Sequence, residues 1–183
     1  SEASDPDGDS LAYEYLWQRD GQTQGISQRT VPAAETTKGE RWQVSVTATD
    51  GYRTSDPATS SVTIGNAGPL IGSVVLSPQN ATTGDTLQCA AVDVVDPDGE
   101  ATSVSYGWTV DGIPLAADTS TLEPSNFVRG QPVVCTVTAR DAESIGMTAS
   151  SEPLVIQNTL PTAPNAQLTP STPGTGDVLE VQI

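Results

Sequence analysis

The sequence has no histidine, one methionine, one phenylalanine and two cysteines in 183 residues, and 7 basic side chains stand against 23 acidic ones. Without histidine there is no imidazole to activate a nucleophile, and two thiols alone are too few to hold zinc. A net charge of −16 argues against nucleic acid and anionic membrane as partners, since both are polyanions. Long hydrophobic runs are missing too. The longest apolar stretch, near Leu70 to Leu76, is broken by Gly72 and Ser73 and falls far short of the ~20 residues that span a bilayer, so no membrane insertion is expected. Leu, Ile, Val and Phe make up 37 of 183 residues, a share at the border where highly charged chains stay disordered. Order must therefore be argued from pattern. The sequence does not open on basic residues followed by an apolar run, which says little about secretion in a chain that can be a fragment.

Self-comparison supplies the pattern. Asp5-Pro6-Asp7-Gly8 recurs as Asp96-Pro97-Asp98-Gly99, Trp17 as Trp108, Asp20-Gly21 as Asp111-Gly112, Gly39 as Gly130, and Val46-Thr47-Ala48 as Val137-Thr138-Ala139, each 91 positions later. Further on the offset becomes 92, where Ile64, Asn66, Leu76, Pro78, Gly84, Asp85 and Leu87 match Ile156, Asn158, Leu168, Pro170, Gly176, Asp177 and Leu179. A single inserted residue explains the change. Ile183 corresponds to Ala91 and Ser1 to Val92, so the end leads in phase into the beginning. The expected organisation is two periods of a longer array: a repeat lacking its opening strands (1–66), a complete repeat (67–159), and the opening strands of the next (160–183).

Leu87, Cys89 and Ala91 alternate with polar or small neighbours, as do Tyr106, Trp108 and Val110, and Val133, Cys135 and Val137. A period of two marks half-buried strands. Clusters of Asp, Gly, Pro, Asn and Ser separate these runs, and no window sustains the three-and-four spacing of a helix. The expected fold is all-β, a two-sheet sandwich of about 91 residues per repeat. Asp20-Gly21 and Asp111-Gly112 read as hairpin turns. Trp17, Trp42 and Trp108 share the inward phase of their strands and are expected in the core, with Val44 and Val181 at the positions that match Cys135 and Cys89.

Cys89 precedes Trp108 by 19 residues and Cys135 follows it by 27. This is the order of an inter-sheet disulfide packed on a buried tryptophan, and it looks immunoglobulin-like. Such a bond closes a loop of about 47 residues, contributes about 4 kcal/mol on the chain-entropy model, and implies an oxidising, extracellular compartment. Two buried free thiols are the alternative.

Asp-Pro-Asp-Gly-Asp from Asp5, Trp17 and Trp108, Thr-Ala-Thr-Asp-Gly ending at Gly51, and Asn-Ala-Gly-Pro from Asn66 together resemble tandem immunoglobulin-like and cadherin-like repeats of large bacterial surface and secreted proteins. The resemblance covers the whole chain. It implies a stalk, fibre or adhesin region, exported and calcium-dependent. The second repeat departs from it, with Glu100 in place of the third aspartate and Arg140-Asp141-Ala142 in place of Thr49-Asp50-Gly51.

The acidic loops carry the chemistry. Calcium takes six to eight oxygen ligands, and alternating carboxylates on a tight loop can converge on one ion. Asp5, Asp7 and Asp9 offer that density in the first repeat, with Glu2 before them; Asp96, Asp98 and Glu100, with Asp93, repeat it. The loops after the second and sixth strands of a sandwich share one end, so Asp50 and Asp141 are expected to face these clusters. Asn66, at the entry to the second repeat, is expected to lend an oxygen to the 96–100 cluster. Plain turn chemistry competes with this reading, because Asp-Pro-Asp-Gly satisfies a type I turn without any metal. An EF-hand is excluded, since Leu16 and Gly107 stand where its twelfth-position glutamate belongs.

No catalytic constellation is recognisable, and the chain is not expected to be an enzyme. The leading expectation is a structural segment of an extracellular fibre or stalk, of head-to-tail sandwiches stiffened by calcium at the joints and completed by strands of the continuing or a neighbouring chain. Its partners are then copies of itself or neighbouring repeats. An adhesive or carbohydrate-binding module with cell-surface or glycan ligands, and an accessory domain of a secreted enzyme, are the alternatives. The few aromatic residues make a glycan platform sparse.

Overall fold

A computed structural model describes residues 3–183; Glu2 lies outside them. The regular elements are strands, apart from two short 3-10 turns at Ala33–Glu35 and Pro124–Asn126. Strands β1 (Ala12–Arg19), β2 (Gln22–Thr23), β3 (Arg41–Thr49) and β4 (Ala58–Thr63) form one antiparallel sheet in the order β2-β1-β3-β4. β5 (Leu70–Ser77), β6 (Leu87–Val95) and β9 (Thr121–Leu122) form a second, in the order β5-β6-β9. β7 (Ser103–Val110), β8 (Ile113–Leu115), β10 (Pro132–Arg140) and β11 (Ile145–Ser150) form a third, ordered β11-β10-β7-β8, with β12 (Leu154–Val155) also on β10. β13 (Gln167–Thr169) and β14 (Glu180–Gln182) make a hairpin of their own.

The second and third sheets face each other across one core. Leu76, Leu87 and Cys89 from one side meet Trp108, Val133, Cys135, Val137 and Ala139 from the other, because alternate residues of a strand point to one face. Each fully buried aliphatic side chain there contributes roughly 1.5–3 kcal/mol. Cys89 and Cys135 are joined, with Cα atoms 6.3 Å apart, so the bond ties the two sheets beside Trp108. No free cysteine remains.

Structural details recur at the offset of the sequence. β1 and β3 match β7 and β10 at 91 positions, as do the two 3-10 turns. Trp17 Nε1 donates to the Gln28 carbonyl at 2.9 Å and Trp108 Nε1 to the Thr119 carbonyl at 2.9 Å. Asp20-Gly21 and Asp111-Gly112 have positive φ at both residues, 49° and 79°, then 52° and 76°, the tight hairpin geometry expected for Asp-Gly. β13–β14 repeats β5–β6 in register, with Leu168 opposite Val181 as Leu76 is opposite Cys89.

Burial differs between the matching halves. Trp108 is 2% exposed and Cys135 fully buried, whereas Trp17 and Val44 are half-buried and Val181 is 56% exposed. Within this one chain these three expected core positions are not fully buried. Among the described residues no second sheet packs on β2-β1-β3-β4 or on the β13–β14 hairpin, and an inward phase buries a side chain only where another layer covers it. Trp42 is the exception, 3% exposed, because Trp17 meets it edge-on at 6.2 Å and Arg19 lies 5.8 Å over its ring.

The linker from Asn66 to Pro69 runs against β11. Met147 N donates to the Pro69 carbonyl at 2.8 Å, and a Cβ on Gly146 would overlap Pro69 N, Cδ and O. Gly146→Ala is therefore expected to push the linker off the strand and to cost about 1–3 kcal/mol, the range for overpacking. Thermal unfolding checks this; an unchanged midpoint would mean that the linker lifts away freely.

Candidate metal centre

The turn Asp96-Pro97-Asp98-Gly99 follows β6 and forms as its composition dictates. Gly99 N donates to the Asp96 carbonyl at 3.1 Å, while Asp96 Oδ1 accepts from Asp98 N at 2.8 Å and Glu100 N at 3.3 Å. One oxygen of Asp96 is thus used by the turn. Its other oxygen, Oδ2, is buried without a hydrogen-bond partner, and Asp96 is 7% exposed.

Asp141, in the loop after β10, closes on the same place. Carboxylate oxygens of Asp96, Glu100 and Asp141 lie within 4.8 Å of one another. Asn66 joins from the linker, with Nδ2 donating to Asp141 Oδ2 at 2.9 Å and to Ser144 Oγ at 3.0 Å. That amide hydrogen bond, with further ones from Ser144 and Glu143, holds the Asp141 carboxyl at about 2, well below the usual carboxylate range, against the opposing effect of desolvation. Asn66 Oδ1 and Glu100 Oε2 are, like Asp96 Oδ2, buried and unpartnered. All three are acceptors with no proton to give, and a buried polar atom left unpaired is costly. A hard cation would supply what they lack. Oxygen is the only donor present, which fits calcium or magnesium and not the softer transition metals.

A residue from the turn before β3 completes the place. Lys38, the only lysine of the chain, sits in the turn before β3 and puts its ammonium 2.7 Å from Glu100 Oε1 and 2.6 Å from Glu143 Oε1. These two contacts, Glu100 first, raise the Lys38 pKa above its ordinary value. Glu100 therefore offers one oxygen to a lysine 62 positions earlier in the chain and the other to the acidic cluster. Exposed ion pairs are individually weak, but here two carboxylates share one cation across a joint.

The other sequence candidates are placed differently. Asp98 does not enter the triad; its Oδ2 accepts from Ala67 N at 2.8 Å and so caps the linker. Asp93 lies inside β6 with φ of 54°, across from Gly72 in an unbroken β5–β6 register; it is exposed and is not among the acidic side chains close enough to share an ion. In the first unit Asp5 and Asp50 line one hollow together with Arg53, while Asp7 and Asp9 are exposed. Among the described residues, Asp96, Glu100 and Asp141 are the group of acidic side chains close enough to share an ion. Sequence reading passed over Lys38, Glu143 and Ser144. The signal for Lys38 was present, since Arg129 stands 91 positions on and keeps a positive charge in phase. No helix is long and apolar enough to cross a membrane. Compared with models of known families and with curated proteins, the chain has no match.

Proposed function

We propose that this chain is a segment of an extracellular fibre or adhesin stalk, made of immunoglobulin-like sandwiches set head to tail and held at their joint by calcium. The observation that carries the reading is the joint itself: three buried acceptor oxygens, from Asp96, Glu100 and Asn66, have no partner at the point where two units meet. Asn66 belongs to the linker and Lys38 to the unit before it, so an ion bound there fixes the second unit to the first and does not merely decorate a loop. Asp96, Glu100, Asn66 and Asp141 would hold the ion, with water or carbonyl oxygens filling the remaining positions that calcium requires.

The rest of the chain supports a spacer and not a catalyst. The disulfide suits an oxidising environment, the acidic surface suits a solvated extracellular segment, and elements recurring every 91 residues suit serial assembly. The open face of β2-β1-β3-β4 is covered, in this reading, by strands of the β5–β6 type from the continuing or a neighbouring chain.

Small-angle scattering, extrapolated to infinite dilution, tests the reading. In calcium the pair-distance distribution is expected to sharpen and its longest distance to grow relative to chelator, because a bent or flexible joint becomes a straight, restrained one. Identical curves in the two conditions would remove calcium from the joint.

A further inference from the structure

We propose that the two far ends of this chain are the two halves of a second joint, and that a second copy of the chain docks across it, with Arg129 of one copy paired to Asp9 and stacked on Tyr52 of the other. The proposal rests on the reading above that the chain is built of units joined in series, and it names the partner and the contact residues.

The internal joint defines what each half must contain. Its donor half is Lys38, Asn66 and the Ala67 N–H; its acceptor half is Asp98, Glu100, Asp141 and Glu143. Shifted by 91 or 92 positions, the donor half falls on Arg129 and Asn158 at the far end of the second unit. The acceptor half falls on Asp7, Asp9, Asp50 and Tyr52 of the first. Both sets are exposed or half-exposed.

Each half is already formed without its partner. Asp5 Oδ1 accepts from Asp7 N at 2.8 Å and Asp9 N at 3.2 Å, as Asp96 Oδ1 does from Asp98 and Glu100. Asp50 Oδ1 accepts from Tyr52 N at 2.7 Å and Arg53 N at 2.6 Å, as Asp141 Oδ1 does from Glu143 and Ser144. On the donor side, Gly130 N donates to the Ile156 carbonyl at 2.8 Å, matching Gly39 N to the Ile64 carbonyl at 2.9 Å, so the turn carrying Arg129 is held like the turn carrying Lys38. Arg129 itself reaches the Asn158 side-chain oxygen at 3.3 Å.

Chemistry changes in step across the two joints. Where lysine meets two glutamates inside the chain, arginine meets one shorter aspartate and a tyrosine at the ends. A compact ammonium suits two carboxylates, whereas a planar guanidinium suits one carboxylate and an aromatic face. Tyr52 is 89% exposed, so its ring face is open to a guanidinium from outside. Arg53 adds a fixed positive charge to the hollow shared by Asp5 and Asp50, so this joint forms without calcium. Leu160 and Ser55 stand where Gly68 and Gly146 touch inside the chain, so the second linker would have to ride further out.

Docking here also brings β13–β14 onto the open face of β2-β1-β3-β4, as β5–β6 lies on β7 and β10. Leu168 and Val181, at 57% and 56% exposure, would then meet Trp17 and Val44. The contact is heterologous and does not close on itself, so it propagates into an open series. Using two unlike charge pairs keeps the units in alternation, since a mismatched joint leaves a carboxylate or a cation unpaired.

Sedimentation velocity on the 183-residue chain, in chelator at physiological ionic strength, tests this. Concentration-dependent association is expected. Arg129→Glu or Asp9→Arg alone should weaken it by about tenfold or more, the usual effect of opposing like charges in a contact, and the chain carrying both changes should recover it. Tyr52→Ala should weaken association where Tyr52→Phe does not. A monomer at every concentration, or association indifferent to Arg129→Glu, would overturn the contact. Because none of these positions belongs to the Asp96 cluster, a monomer that still sharpens its scattering curve in calcium would leave the stalk reading standing, and flat scattering with intact association would remove calcium alone.

Discussion

In the 183-residue chain, calcium is expected to raise the thermal midpoint of the disulfide-linked sheets by roughly 10–20 °C at a concentration 100-fold above its dissociation constant. Linkage sets the scale: a ligand at 100 times Kd stabilises by about 2.7 kcal/mol, and about 1 kcal/mol moves the midpoint of a domain this size by 4–8 °C. Asp96→Asn isolates the cause. The amide keeps Oδ1 as acceptor for Asp98 N and Glu100 N, so the turn survives, while the unpartnered Oδ2 becomes an N–H that cannot ligate a cation. The variant should therefore lose the calcium increment yet melt higher than the parent in chelator. Crowding Asp96, Glu100 and Asp141 within 4.8 Å opposes folding until a cation arrives, and neutralising one carboxylate relieves it. A calcium response that survives Asp96→Asn would place any bound ion elsewhere.

Strand positions were legible because their causes are local. Alternation in Val133, Cys135 and Val137 fixes both the strand and its buried face, and Asp20-Gly21 fixes its turn by backbone sterics alone. The convergence of Asp96, Glu100 and Asp141 followed from the order of loops at one end of the unit. Which oxygen points where did not follow, because that is decided by local competition: Asp98 is drawn off by the Ala67 N–H, and Asp93 stands inside β6 in a left-handed backbone conformation, φ 54°. Trp17, Val44 and Val181 are left incompletely buried within one chain for a non-local reason. Nothing in their own strands reveals whether a second sheet lies over them. Lys38 was hidden similarly, since its partners Glu100 and Glu143 are 62 and 105 positions away and only the packing of one unit on the next brings them together.

Replacing both cysteines by valine is expected to destabilise residues 67–159 by about 4 kcal/mol on the chain-entropy model, the largest loss among the substitutions considered. The choice of valine separates the covalent bond from the packing. Valine already stands at the positions that match them in the sequence, as Val44 and Val181, so Cys89→Val with Cys135→Val introduces the residue found there. Side-chain bulk and burial are nearly kept, which limits the cavity contribution. What disappears is the restraint on a 46-residue separation in the unfolded chain. Denaturant unfolding of the parent, with and without reductant, and of the double variant should give the same stability for the reduced parent and the variant, both well below the oxidised parent. The denaturant slope should rise when the bond is absent, because an uncrosslinked chain exposes more surface on unfolding. A double variant as stable as the oxidised parent would mean that Trp108 and the facing sheets carry the unit alone; the disulfide would then be a local addition to one unit and not what allows an acidic, aromatic-poor chain to hold a fold.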